Sequence, residues 1–400
     1  MSEWKTVPAG TVATQRKDVV TLAPGVEYRT MGVRWYGRGA YDRGAGSTET
    51  IKAKRLFRAH EGDFVFNRID TQNGAFDVVP AELHGALATN EFPLYVLDSD
   101  RLLPQFLLLY FQQRSVLGQI DALRVGSEGR SRWKEADFEA WRIPLPPLSE
   151  QRRIVDVMAA VDKQIQALGE EADRAWASWK AVVADLDDYE GQLILSDGLR
   201  AIEAGKSPKG QERIPAPDER AVLKISAVGR ARFIPSEVKT IDASTVLPEA
   251  TKLRSGDVLM VRCNAILDRV GTVCRVNEVP ENLYLCDKTL RLVPDEEVLL
   301  PNYLVHAMAA PSVRDQIARL TAGSDMRNIG QKAIRGLVIP DPGTDAQAVL
   351  ASGLDELISE ALAIEAELAH LRAFRAALLA SLLNREIEIP ESYDALLEVH

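Results

Sequence analysis

The chain has 400 residues, with 48 lysines and arginines against 58 aspartates and glutamates, for a formal net charge of −10. That length predicts two or three domains with material for real cores. It contains no apolar run of roughly 18 residues and no signal-peptide pattern at its polar start, which argues against a membrane-spanning helix and predicts a cytoplasmic protein.

Residues 1–147 read as a mixed α/β domain, with β-rich runs at 63–67 and 93–97 and a helix near 104–120. Within it, residues 24–60 hold eight basic groups against three acidic ones, interleaved with Tyr28, Trp35, Tyr36 and Tyr41. Cations mixed with aromatics and glycines suit a DNA-facing surface, the alternative being a solvated loop with ordinary arginines. Residues 148–190 read as a spacer helix, helical over 149–188 with Ser149 as its N-cap. Its apolar ladder runs Ile154, Met158, Val161, Ile165, Leu168, Ala172, Ala175, Trp179, Val182 and Leu186. Steps of four and three residues are the mark of a coiled-coil helix.

Residues 191–342 repeat the α/β pattern, with strands expected near 221–227, 257–262 and 288–293. Residues 343–384 form a second spacer helix, with Leu350, Leu354, Leu357, Ala361, Ile364, Leu368 and Leu371 as its ladder. Arg375 breaks the phase, and Phe374, Leu378 and Leu382 suggest a shifted continuation. Residues 385–400 read as a tail.

The second half repeats the first. Gly62-Asp-Phe-Val-Phe-Asn-Arg68 matches Gly256-Asp-Val-Leu-Met-Val-Arg262 at an offset of 194. Leu102-Leu-Pro-Gln-Phe106 matches Leu299-Leu-Pro-Asn-Tyr303, and Gly126-Ser-Glu-Gly-Arg130 matches Gly323-Ser-Asp-Met-Arg327, both at 197. Gln151 and Gln347, which open the two ladders, stand 196 apart. A repeat this long is a duplicated domain-plus-helix unit rather than a solenoid. A helix with only a narrow apolar stripe cannot bury itself alone. The predicted fold is therefore two tandem α/β domains and two long helices paired as an antiparallel coiled coil, with pseudo-two-fold symmetry. The charge is divided accordingly. Residues 1–147 carry 19 basic and 18 acidic groups and 191–342 carry 21 and 19, whereas 148–190 carry 5 and 10 and 343–400 carry 3 and 11. The acidity belongs to the helices, so the net charge does not exclude a nucleic-acid partner.

Catalytic chemistry is nearly absent from the sequence. No methyltransferase motif or cofactor loop is found. Gly205-Lys206-Ser207 lacks the upstream glycine of a phosphate loop, where Arg200 stands, and Pro208 opposes a following helix. Asp218, Glu237 and Lys239 have the bare spelling of a metal-dependent nuclease core, a short pattern common by chance, with Pro235 set against a central strand there. Five scattered histidines show no metal spacing. Cys263, Cys274 and Cys286 read as reduced, buried strand residues.

The segment Trp141-Arg-Ile-Pro-Leu-Pro-Pro-Leu-Ser-Glu-Gln-Arg-Arg-Ile-Val-Asp156 resembles the boundary between recognition domain and spacer in specificity subunits of type I restriction–modification systems. Ala204-Gly-Lys-Ser-Pro208 with Val222-Leu-Lys-Ile-Ser-Ala-Val228 resembles the opening of a second recognition domain, and Gly323-Ser to Pro340 its close. Two features depart from the pattern: Ile339-Pro-Asp-Pro-Gly-Thr-Asp-Ala-Gln347 lacks the second proline pair and the glutamate, and no helical segment leads the first domain.

The resemblance implies a non-catalytic subunit for phage defence that binds double-stranded DNA through target recognition domains at 1–147 and 191–342. Two methyltransferase subunits would bring S-adenosylmethionine, restriction and translocase subunits would complete the complex, and this chain would hold no cofactor. Each domain would read half of a split target, with the helices setting the gap. A DNA-specificity module of another defence system and a coiled-coil scaffold without DNA remain as alternatives. Candidate base readers are Arg34, Tyr36, Arg38 and Arg43 in the first domain and Lys224, Arg230, Arg232 and Asn264 in the second. Arg68 with Arg262, and Arg130 with Arg327, recur in both copies, which suits phosphate contact or scaffolding more than base reading. The target sequence and gap length depend on loop placement that a residue list does not give.

Overall fold

The structure is a computed structural model that describes residues 4–53, 55–123, 132–321 and 327–397. The chain divides into two compact units, Met1–Ala167 with Leu368–His400, and Leu168–Glu367. Among the described residues no helix is long and apolar enough to cross a membrane.

In the first unit, strand Lys5–Pro8 pairs antiparallel with Arg142–Leu145, the strand that ends in the proline-rich boundary. A four-stranded sheet follows the order Ala13–Gln15, Leu94–Leu97, Phe64–Phe66, Phe76–Val78. Its apolar face packs on helices Pro104–Phe111, Arg114–Leu123 and Glu135–Ala140, so the single helix expected near 104–120 is two. The core between them is aromatic. Phe64, Phe66, Phe76, Tyr95, Phe111, Trp133 and Phe138 are all essentially buried, with Phe76 and Phe111 stacked at 4.8 Å. A five-stranded sheet, order Val19–Val20, Leu56–Arg58, Leu87–Thr89, Tyr28–Arg34, Gly39–Gly46, covers a smaller aliphatic core around Met31, Val33, Val65 and Leu94.

The second unit repeats the first part of that plan. Gln192–Ile194 pairs with Val338–Pro340. The matching four-stranded sheet has the order Leu199–Ala204, Thr289–Pro294, Val258–Val261, Val273–Arg275. Helices Pro301–Ala307, Pro311–Leu320 and Gln331–Arg335 stand where the three helices of the first unit stand in the chain. Backbone bonds repeat too: Val79 N–H donates to Asp63 and Gly62 N–H to Val79, as Val276 N–H does to Asp257 and Gly256 N–H to Val276. The remaining sheet differs, with the order Gly210–Gln211, Val238–Ile241, Ala221–Leu223, Leu283–Tyr284 and a parallel pair at its end. Gly205 crosses so close to Leu285 that a Cβ there would sit 1.9 Å from its carbonyl oxygen. The segment 205–209 has no helix after it, and Ser207 is hydrogen-bonded to Asp287. The glycine serves a close crossing of backbone.

The long helices are Leu148–Ala184, continued by a 3₁₀ turn Asp185–Asp188, and Thr344–Leu383. Ser149 lies inside the first turn rather than at the cap. Within each unit their stretches run antiparallel. In the first, Ile154 and Met158 share a core with Leu382 and Leu379, and Asp162 pairs with Arg375. In the second, Trp176 Nε1–H donates to Glu365 at 2.8 Å, while Trp179, Val183 and Leu186 share a core with Ile358, Leu354 and Ala351. Two ladder positions shift. Val182 is exposed and Val183 buried, and Phe374 is exposed while Leu379 is buried. The 3₁₀ turn and the Arg375 ion pair change which residue faces inward.

Gln151 and Gln347 explain why the repeat opens each helix with glutamine. Both are fully buried. Gln151 Oε1 accepts Leu103 N–H at 2.8 Å, and its Nε2 donates to Arg101 and Pro146 carbonyls at 2.8 and 2.9 Å. Gln347 Oε1 accepts Leu300 N–H at 2.9 Å, with Nε2 donating to the Val298 carbonyl and Asp341 Oδ1 at 3.1 and 3.0 Å. Each amide ties its long helix to the loop before a Pro-initiated helix. A buried side chain whose polar groups are all satisfied holds one geometry.

Candidate nucleic-acid interface

Four of the candidate readers lie on one hairpin of the first unit, Tyr28–Arg34 with Gly39–Gly46. Met31 and Val33 point into the core, so Gly32 and Arg34 face outward. Across the pair, Tyr41 lies opposite Gly32 on the same outer face, and Arg34 stacks over its ring at 4.3 Å. The Arg43 stem passes over Gly32, where a Cβ would be 3.0 Å from Arg43 Cδ. At the turn, Tyr36 has φ +59° and is 74% exposed, beside an exposed Trp35. A large residue in the left-handed region costs of order 1–3 kcal/mol and persists only where its surroundings impose it. Here they do: Tyr36 and Gly37 N–H donate to the carbonyls of Asn73 and Gly74 at 2.7 and 3.1 Å. Gly39, at φ +73°, lies so near Asp77 that a Cβ would be 2.5 Å from its Oδ2. Burial raises the Asp77 pKa against the opposing pull of the Ala40 and Val78 amides. The turn is thus held rigidly and presents exposed Arg34, Trp35, Tyr36 and Arg38, none of whose guanidinium groups has a carboxylate partner among the described residues.

Arg68 is elsewhere, mostly buried, pairing with Glu135 at 3.3 Å and donating to the Asn90 carbonyl at 3.1 Å. Arg130 lies outside the described residues. In the second unit, Arg262 Nε donates to Asn328 Oδ1 at 3.1 Å and Arg327 to the Ala265 carbonyl at 2.8 Å. These bonds flank a two-stranded ribbon, Cys263–Asn264 with Arg327–Asn328. Asn264 shares an open cleft with Lys224. Lys224 is held by Glu212 at 3.2 Å and Glu237 at 3.3 Å, and the hydrogen bonds it donates to these carboxylates raise its pKa. Glu237 also accepts from Ser226 and is held below its usual range by that bond and by Lys224, both of which meet its Oε2. Arg230 and Arg232 are not part of this cleft. Arg230 lies over Trp176 at 5.7 Å and Arg232 is 3.9 Å from Glu365, both on the long helices. Sequence reading missed two exposed side chains of the cleft, Ile266 and Arg269. Cys274 and Cys286 are buried as expected, while Cys263 is half-buried.

Residues 1–173 match the family model of the type I restriction modification DNA specificity domain. The chain is 25% identical over 292 residues to the Escherichia coli K12 type I restriction enzyme EcoKI specificity subunit, covering 68% of this chain and 62% of that one. Over its first 173 residues the chain is thus similar to a type I DNA specificity domain. It spans less than two thirds of the length of that curated relative. The fold agrees across nearly the whole chain. The S subunit of a type I restriction-modification system from M. genitalium superposes with a TM-score of 0.56 at 14% identity, covering 95% of this chain and 96% of that one. A chain from a structure describing complex assembly and conformational transition of the type I R-M system gives 0.57 at 18% identity, covering 95% and 97%.

Proposed function

We propose that this chain is the non-catalytic DNA-reading subunit of a type I restriction–modification complex, each unit reading one half of a split target. The observation that carries this reading is the duplication itself: one scaffold, whose strand order and loop-closing bonds recur, supports two unlike exposed surfaces, each with unpaired cations. Two methyltransferase subunits, bringing S-adenosylmethionine, would dock on the chain and modify adenine, with restriction and translocase subunits completing the assembly in the cytoplasm. Base flipping belongs to the methylase. The long helices would set the gap, since a heptad rises about 10.5 Å and a base pair about 3.4 Å. Inserting one heptad should lengthen the gap by roughly three base pairs.

Reconstitution tests the reading. The purified chain alone should bind duplex DNA weakly and methylate none. With its methylase it should bind one split sequence tightly, with affinity falling steeply as salt rises. Methylation by the chain alone would refute the proposal.

A further inference from the structure

We propose that Asn264, Ile266 and Arg269 form the base-reading element of the second unit, with Arg269 reading a guanine edge. The inference rests on the DNA-reading function proposed above. One scaffold bond closes the same loop in both units: Asn67 N–H donates to Ala75 O, and Val261 N–H to Thr272 O, each at 2.9 Å. Between the equivalent points the first unit has residues 68–74 and the second 262–271, so the whole rise in offset from 194 to 197 falls here. The first unit's loop supports its hairpin, through the Asn73 and Gly74 carbonyls. The second unit's longer loop is ordered by its own bonds. Cys263–Asn264 pairs with Arg327–Asn328, Asn264 Oδ1 accepts Ile266 N–H at 3.0 Å, and a 3₁₀ turn spans Leu267–Arg269.

This loop walls a cleft of about 720 Å³ that is also lined by Lys209, Lys224, Lys239 and Lys288. Glu212 lies 3.2 Å from Lys224 and 3.8 Å from Lys239. Lys209, Arg269 and Lys288 have no carboxylate partner among the described residues. Asn264 has committed its carbonyl oxygen to Ile266, so its amide nitrogen is left to donate. Arginine and lysine donate only. Such a lining complements an edge that presents two acceptors, and guanine N7 and O6 in the major groove are that edge, read by the arginine fork. Ile266 separates base from phosphate: it is 61% exposed at the rim. An apolar side chain there adds nothing against phosphate oxygens, but it can meet a base edge or a thymine methyl.

The test is R269A, assembled with its methylase subunits and profiled by methylation of a duplex library randomised across the target. The unmodified complex should require guanine at one position of the second unit's half-site. R269A should relax that requirement by roughly 5- to 150-fold while leaving the other half intact. R269K, which keeps the charge without the fork, should recover overall binding more than base choice. Uniform weakening by R269A with unchanged base preference would make Arg269 a phosphate contact and overturn the inference, as would unchanged methylation. A wild-type complex without sequence preference would instead sink the functional reading itself.

Discussion

The outward hairpin of the first unit and the 262–271 loop of the second hang on the same scaffold and share almost nothing else. In the first, two seven- and eight-residue strands carry Arg34, Tyr41 and Arg43 outward, and the short loop beneath holds the turn by two backbone bonds. In the second, no long hairpin exists among the described residues, and the loop itself reaches out with Asn264, Ile266 and Arg269. Scaffold bonds recur because core packing and buried amides punish change. Exposed loops answer to whatever they bind, and the proposed function uses that freedom to let the two halves read different sequences.

The sharpest way to break this comparison is to make the second loop as short as the first. Deleting residues 264–266 should abolish recognition of one half-site, while melting temperature moves little, because the first unit shows that seven residues close the same ends. A large fall in stability would mean the loop is part of the core. Next come the glutamines. Gln151→Ala strands the Leu103 N–H and two carbonyl oxygens, and Gln347→Ala the Leu300 N–H and the Val298 carbonyl, so each should destabilise its unit by about 3 kcal/mol or more by denaturant unfolding. Unequal losses would show that the two staples are not equivalent. Smaller again, Arg34→Ala or Arg43→Ala should each cost about 1–3 kcal/mol in binding to the first half-site if it reads a base, and leave the second half alone. The least effect concerns thiols. Burial pushes the Cys274 pKa up to about 12, and a raised thiol pKa leaves little thiolate at pH 8. Mass spectrometry after brief native alkylation should find Cys274 unmodified and any label on half-buried Cys263.

Much of the fold could be read in advance because it rests on local periodicity and on internal matches. The long helices, the strands at Phe64–Phe66, Leu94–Leu97 and Val258–Val261, and the antiparallel pairing all follow from spacing that packing then respects. Val182 and Phe374 misled because a local change of phase depends on neighbours across the interface. The hairpin candidates were visible as cations among aromatics. Arg230 and Arg232 have the same look in sequence, yet Trp176 and Glu365 claim them, more than 50 residues away for Trp176 and more than 130 for Glu365. Tertiary partners of that kind leave no local mark. Arg269 and Ile266 did leave one, in the offset that rises from 194 to 197 between Arg262 and Gly271. The proposed recognition loop coincides with that insertion, which the internal matches alone locate.

The most direct test of the central claim, two independent readers on one duplicated scaffold, is methylome sequencing of a host that expresses this chain with its methylase as the sole adenine methylation system. The same measurement is then made with residues 1–140 exchanged for the matching domain of a similar specificity subunit. The account predicts a split motif in the first case, and in the second a motif with one half replaced and the other half and gap unchanged. A contiguous motif, or an exchange that alters both halves, would contradict it.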